Sequence, residues 1–291
     1  MKNRMITVFL VLILIVGMGI LGYPLASNLL HDRKQDKILT DYKEEVQSLK
    51  QDDQELLLEE AQKYNESLNG TVVLTDPFDP EVVGKHSEEY LKQLNINDNG
   101  IMAYVEIPRI KVYEPIYHGT NEEVLARGIG HMENTSLPIG GQGTHAVISG
   151  HTGLPEAEIF TNLNTMEEGD IFYIHVLGEH LAYQVDQIKI VEPSDTSDLM
   201  IEREGDYVTL VTCTPYGINT HRLLVRGTRI PYTPEVEEAA ALQASEGAGF
   251  GNWKDIYGKA LLKGGLSGAG ILVFMITLRA AIRRIRRGIR T

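Results

Sequence analysis

Tyr207-Val-Thr-Leu-Val-Thr-Cys213-Thr-Pro-Tyr-Gly-Ile-Asn-Thr-His-Arg222-Leu-Leu-Val-Arg-Gly-Thr-Arg-Ile230 reads as two strands, rich in β-branched and apolar residues, on either side of a turn-forming connection. Working outward, the same texture recurs at Ile101–Ile107, Lys111–Tyr117, Thr144–Ser149, Asp170–Val176 and Leu181–Val191. Alternation is clean in places: Phe172, Ile174 and Val176 share one face, and Ile171, Tyr173 and His175 the other. Leu177-Gly-Glu-His180 has the composition of a hairpin turn. Short strands at this density, with few helical interruptions, predict a mainly β, mainly antiparallel barrel or sandwich. One helical turn is expected after Thr120, where Thr120-Asn-Glu-Glu123 forms a capping box.

Both ends of the 291-residue chain carry apolar runs. Met5 to Tyr23, preceded by Lys2 and Arg4, is long enough at about 1.5 Å per residue to span a hydrocarbon core, and it exceeds the apolar stretch of a usual signal peptide. A second run, 260–278, is Gly-rich and is followed by Arg279, Arg283, Arg284, Arg286, Arg287 and Arg290. Cations outside both runs mark the cytoplasmic side, so the chain is expected to cross a cell membrane twice with everything between on the exterior. The net charge is −13; with two cations before the first run and six after the second, residues 24–278 carry −21. Such a surface repels phosphate backbones and argues against nucleic acid as a partner. A single cysteine excludes both a disulfide framework within the chain and a thiolate zinc cluster.

These features divide the chain. A transmembrane anchor is expected at 1–24 and an extracellular helical stalk at 25–70, where Ile38, Tyr42, Val46, Leu49, Leu56, Leu57, Ala61, Tyr64 and Leu68 follow helical spacing. A connecting segment follows at 71–100 and the β domain at 101–232. The remainder is a flexible acidic linker at 233–259, a second transmembrane helix at 260–278 and a basic tail at 279–291.

Cys213, at the end of a strand, is a candidate nucleophile, but a free thiol with a pKa near 8.5 needs a base or cation beside it. His151 ends the strand beginning at Thr144, between Gly150 and Gly153, and can project over a neighbouring strand; His131, His145 and His221 rival it on composition. Arg222 opens the strand after Cys213, and its planar fork of donors suits a carbonyl or an oxyanion. Arg226 has the same parity, so alternation alone does not choose between the two arginines.

The stretch Thr209-Leu-Val-Thr-Cys213, with Arg222 nine positions after the cysteine, resembles the active-site motif of sortases, and Ser149-Gly-His151 resembles their histidine segment. The resemblance covers Ile101 to Ile230 and implies a closed antiparallel sortase-like β-barrel, with Cys213 as nucleophile, His151 as its partner and Arg222 as oxyanion or substrate stabiliser. Asp76-Pro-Phe78 resembles the lid of class C, pilin-polymerising sortases, and implies that Asp76 pairs with Arg222 while Phe78 covers the Cys213 sulfur; many members have Trp where this chain has Phe78. The implied activity is transpeptidation. A Leu-Pro-x-Thr-Gly-like sorting signal on a pilin or surface protein is cut between Thr and Gly, and the acyl group passes through a thioester to a pilin Lys. No metal or organic cofactor is implied. A housekeeping cell-wall anchoring sortase, an extracellular thiol peptidase and a non-catalytic membrane scaffold or sensor are the rival expectations.

Overall fold

The computed structural model describes residues 2–68, 74–79, 86–154 and 157–247. Residues 26–248 form one compact unit; residues 1–25 with 249–291 form another, of which the beginning of helix α1 (Lys2–Ser48) is described. The expected second transmembrane helix and basic tail lie outside the described residues.

Eight strands close into a barrel: β1 (Ile101–Ile107), β2 (Val112–His118), β3 (Ile129–His131), β4 (Thr144–Ser149), β5 (Ile171–Val176), β6 (Glu179–Val191), β7 (Asp206–Thr214) and β8 (His221–Ile230). Their order is β1-β2-β3-β4-β7-β8-β6-β5, with β5 closing on β1. Six of the eight pairings are antiparallel, as expected, but two need correction: β2 pairs parallel with β3 and β4 parallel with β7. Parallel neighbours need a crossover connection, which α4 (Glu122–Leu125) supplies for the first pair and the whole β5–β6 hairpin for the second. Strand β3 went unread in the sequence because three residues carry no measurable alternation.

The alternation sorts the core. Phe172, Ile174 and Val176 lie inside the barrel with Ile107, Ile116, Ile148, Leu210 and Val225, whereas Ile171 and Tyr173 face outward into a separate apolar cluster with Ala182 and Ala240. Gly227 of β8 lets two layers meet, since a Cβ there would sit 2.5 Å from the Phe172 ring. The hairpin turn places Leu177 and Gly178 at φ of 47° and 86°, both in the left-handed region that a two-residue turn of this type requires.

Within the expected stalk, helices α1 and α2 (Gln51–Ser67) carry the chain to Ser67, and they do not stand off from the barrel. Leu39, Tyr42, Val46, Ala61 and Tyr64 join the barrel's own core cluster. Tyr42 donates its hydroxyl proton to the Met102 carbonyl at 3.2 Å, and the Asn65 amide makes a two-way bond with the backbone of Leu137 at 2.7 and 3.3 Å. The apolar stripe is long enough to bury about two turns of each helix, and burial at roughly 25 cal/mol per Å² favours docking over solvent exposure.

A second correction concerns 233–259. The described part of this expected flexible linker is helix α5 (Pro234–Gly247), packed on the outer face of β5. Val236, Ala239, Ala240 and Gln243 recur at helical spacing, and Gln243 accepts from the Ile171 N–H at 2.9 Å while donating to the Gly169 carbonyl at 3.0 Å. Acidity disguised an amphipathic helix whose charged residues face water. The helical turn expected after Thr120 is α4, capped one residue later: the Asn121 side chain accepts from the Val124 N–H at 3.0 Å.

Candidate active site

Three adjacent strands bring the candidate residues together. Antiparallel pairing of β7 with β8 sets Cys213 directly across from Arg222. Parallel pairing of β4 with β7 sets Ser149 across from Val211. Continued by two residues on each side, that register carries His151 to the level of Cys213. Hydrogen bonds extend the pairing past the end of β4, since the Gly150 N–H donates to Val211 O at 3.1 Å and the Thr212 hydroxyl donates to Gly150 O at 2.7 Å. Gly150 is required here, because a Cβ would lie 2.8 Å from the buried Phe160 ring and push the His151 loop away. The Phe160 N–H then donates to His151 O at 3.0 Å, closing the loop on the opposite side.

The lid residues meet this row. Asp76 grips Arg222 through two bonds, Nε to Oδ1 at 2.9 Å and Nη2 to Oδ2 at 2.6 Å, with both side chains largely buried. The Phe78 ring lies between the other partners, 5.8 Å from the His151 ring and 5.1 Å from the Arg222 guanidinium carbon. It also joins an apolar cluster with Leu74, Met132, Val211 and Leu224. The remaining face of Arg222 is held by its own loop, Nη1 donating to Asn219 O at 3.1 Å and His221 O at 3.0 Å.

Burial pushes the Cys213 thiol above its ordinary range; the Arg222 cation pulls it down and the Asp76 carboxylate pushes it up again. Asp76 therefore places an anion on the cation that would favour thiolate. For Arg222, burial works against the cation, yet its bond to Asp76 and the nearby Cys213 hold it above the usual guanidinium value.

The rival residues fall into structural roles. His131 is fully buried, donating Nε2–H to Ser136 O at 2.8 Å with Nδ1 facing the Tyr90 hydroxyl at 2.9 Å. His145 is buried between Met200 O and the Thr209 hydroxyl. His221 faces Glu192 at 3.3 Å near the surface. Arg226 lies across from Thr209, four residues down the strand from Cys213, and is taken up by Asp186 at 2.9 and 3.1 Å. One neighbour had no sequence signal: Glu122 Oε2, on α4, stands 3.5 Å from His151 Nε2. Twenty-nine residues separate the two, and only the return of β3 alongside β4 joins them.

A sortase-domain family model matches residues 105–230. Among solved structures, sortase C-1 from Streptococcus pneumoniae is 52% identical with a TM-score of 0.64, covering 68% of this chain and 100% of that one. The chain belongs to the sortase family. A Streptococcus agalactiae sortase C1, solved in complex with MTSET, is 48% identical with a TM-score of 0.62, covering 67% of this chain and 97% of that one. The curated sortase A of Staphylococcus aureus is more distant, 26% identical over 223 residues, or 75% of this chain and 90% of that protein. Sortases are cysteine transpeptidases, and the structural neighbours of this sortase support class C.

Proposed function

We propose that this sortase is a pilin-polymerising transpeptidase in which Cys213, His151 and Arg222 carry the chemistry. The observation that supports this most is the row of His151, just past the end of β4, with Cys213 on β7 and Arg222 on β8, beneath Asp76 and Phe78. The Cys213 thiolate attacks the carbonyl carbon of Thr in a Leu-Pro-x-Thr-Gly-like signal, and Arg222 holds the resulting oxyanion once Asp76 has left it. As the C–N bond breaks, His151 gives a proton to the departing Gly amine, leaving a thioester. A pilin Lys amine then attacks the thioester, loses its proton to His151 and expels the thiolate. One similar protein, 44% identical, is described as a pilus-related sortase C of group B Streptococcus. A lid bonded to the cation that the reaction needs favours this reading over an always-open housekeeping enzyme.

We further propose that the chain is anchored by two membrane helices. Among the described residues, no helix is long and apolar enough to cross a membrane. Support for the first anchor comes from the sequence run and from its exposure: Met5, Phe9, Ile13, Ile15, Met18 and Ile20 leave about half or more of their surface uncovered around α1. A helix that is apolar on all sides belongs in an apolar medium.

The deciding experiment incubates the protein with a sorting-signal peptide, with and without a Lys-bearing pilin domain. Product joined through a Lys isopeptide bond supports the proposal. Free acid alone would mean a peptidase, and transfer only to a cell-wall precursor amine would mean the anchoring enzyme.

A further inference from the structure

Far along the chain from the catalytic row, the β5–β6 hairpin carries His175 and His180 as a directly opposed cross-strand pair. Their Nδ1 atoms face each other at 2.5 Å. The His175 ring is fixed from two sides: it stacks on Tyr104 with centroids 4.4 Å apart, and its Nε2 stands 3.1 Å from Glu106 Oε2. With the Nε2 proton directed at that carboxylate, Nδ1 of His175 carries the free lone pair. His180, exposed on its other side, stacks on Tyr232 with centroids 5.4 Å apart.

We propose that His175 and His180 form a binding site for a divalent transition-metal ion of the zinc class. Imidazole nitrogens suit such ions, and a histidine ligand commonly gives its second ring N–H to a carboxylate, the role that Glu106 fills. Zn–N bonds of about 2.0–2.1 Å place two ligand nitrogens roughly 3.3 Å apart in a tetrahedral shell, so the rings need to part by less than about 1 Å. His180 lies on the exposed side of the pair and has room to make that movement. The charges around the pair favour a cation. Glu106, Glu179 and Glu237 face it, with Lys43 on the opposing side of the balance. Among the described residues no group of three His, Cys, Asp or Glu side chains could hold a metal ion, so the pair would supply two ligands and solvent the others. The site bridges the hairpin and the start of α5 through Tyr232, and it shares no residue with the catalytic row.

The test is calorimetric titration of the full-length, chelator-treated protein in detergent with ZnCl2, and with MgCl2 as the hard-cation comparison. Saturable 1:1 binding of Zn2+ without Mg2+ binding is expected. H180N, a change at an exposed position, should abolish it, H175Q should do the same, and E106Q should weaken it by roughly 10–100-fold. No saturable Zn2+ binding, equal binding in H180N, or equal binding of Mg2+ would each overturn the proposal; the first would leave the two rings as a simple hydrogen-bonded pair.

Discussion

Asp76 acts on two groups at once, holding Arg222 and raising the Cys213 thiol. D76A should therefore lower the thiol pKa, and D76N should do most of the same, since the carboxylate charge is what both contacts share. The expected outcome is labelling of Cys213 by a methanethiosulfonate reagent that rises about tenfold near neutral pH, with the pH profile moved toward lower pH. F78A should add to the rate by uncovering the site without moving the profile as far. An unchanged rate in D76A would count against a closed lid. For Arg222, R222K keeps the charge but loses the fork, and a loss of about 10²–10³-fold in transpeptidation is expected from steady-state rates in the lid-opened background. The cysteine, the histidine and the first arginine were legible in the sequence through their motif. The choice between Arg222 and Arg226 rests on register, since both point to one face and only Arg222 stands across from the sulfur.

At the scale of elements, seven of the eight strands are legible within one or two residues of their bounds, because β-branched runs and turn residues mark them locally; the three-residue β3 is not. Helix α5 was misread since its charge dominates its composition while its apolar face needs the outer side of β5 to make sense. Its contribution is testable. Ala240 is 2% exposed, and A240D would bury a carboxylate against Ile171 and Tyr173, costing about 2–4 kcal/mol. Urea unfolding should show that loss, while Cys213 labelling of the folded variant stays at the wild-type rate because α5 lies on β5 and not on the β4–β7–β8 row. An unshifted midpoint would mean that the helix is not docked in solution. The cap at Asn121 in place of Thr120 is a smaller instance of the same limit: adjacent cap-forming residues compete, and the buried position of Thr120 decides between them.

For the whole molecule, three buried imidazoles predict acid sensitivity. Burial lowers His118, His131 and His145, and His131 falls to about 4. The unfolded chain takes up these protons near pH 6.5, whereas the folded chain resists them until lower pH, so stability is complete above about 6.5 and declines as pH falls toward 4. His131 alone is worth about 3 kcal/mol across that window. Glu114, raised by burial, works in the opposite sense at the acid end. Thermal melts from pH 7.5 down should show Tm falling below about pH 6.5, and a flat profile would refute the assignment. The proposed two-pass anchoring has its own check at this scale. Protease added outside intact protoplasts should remove the barrel and leave an epitope on the basic tail protected; digestion of the tail would exclude a cytoplasmic end.

By itself the sequence determined the mainly β domain, seven of its eight strands and the family motif around Cys213 and Arg222, because each is written in a contiguous motif or short-period alternation. Only the tertiary structure decided which strands run parallel, that helices α1, α2 and α5 lie against the barrel, that Glu122 reaches His151 and that His175 meets His180. The difference is physical. Local patterns report the face a residue presents, whereas contacts between residues distant in the chain depend on the order in which strands close the barrel, which no short stretch encodes.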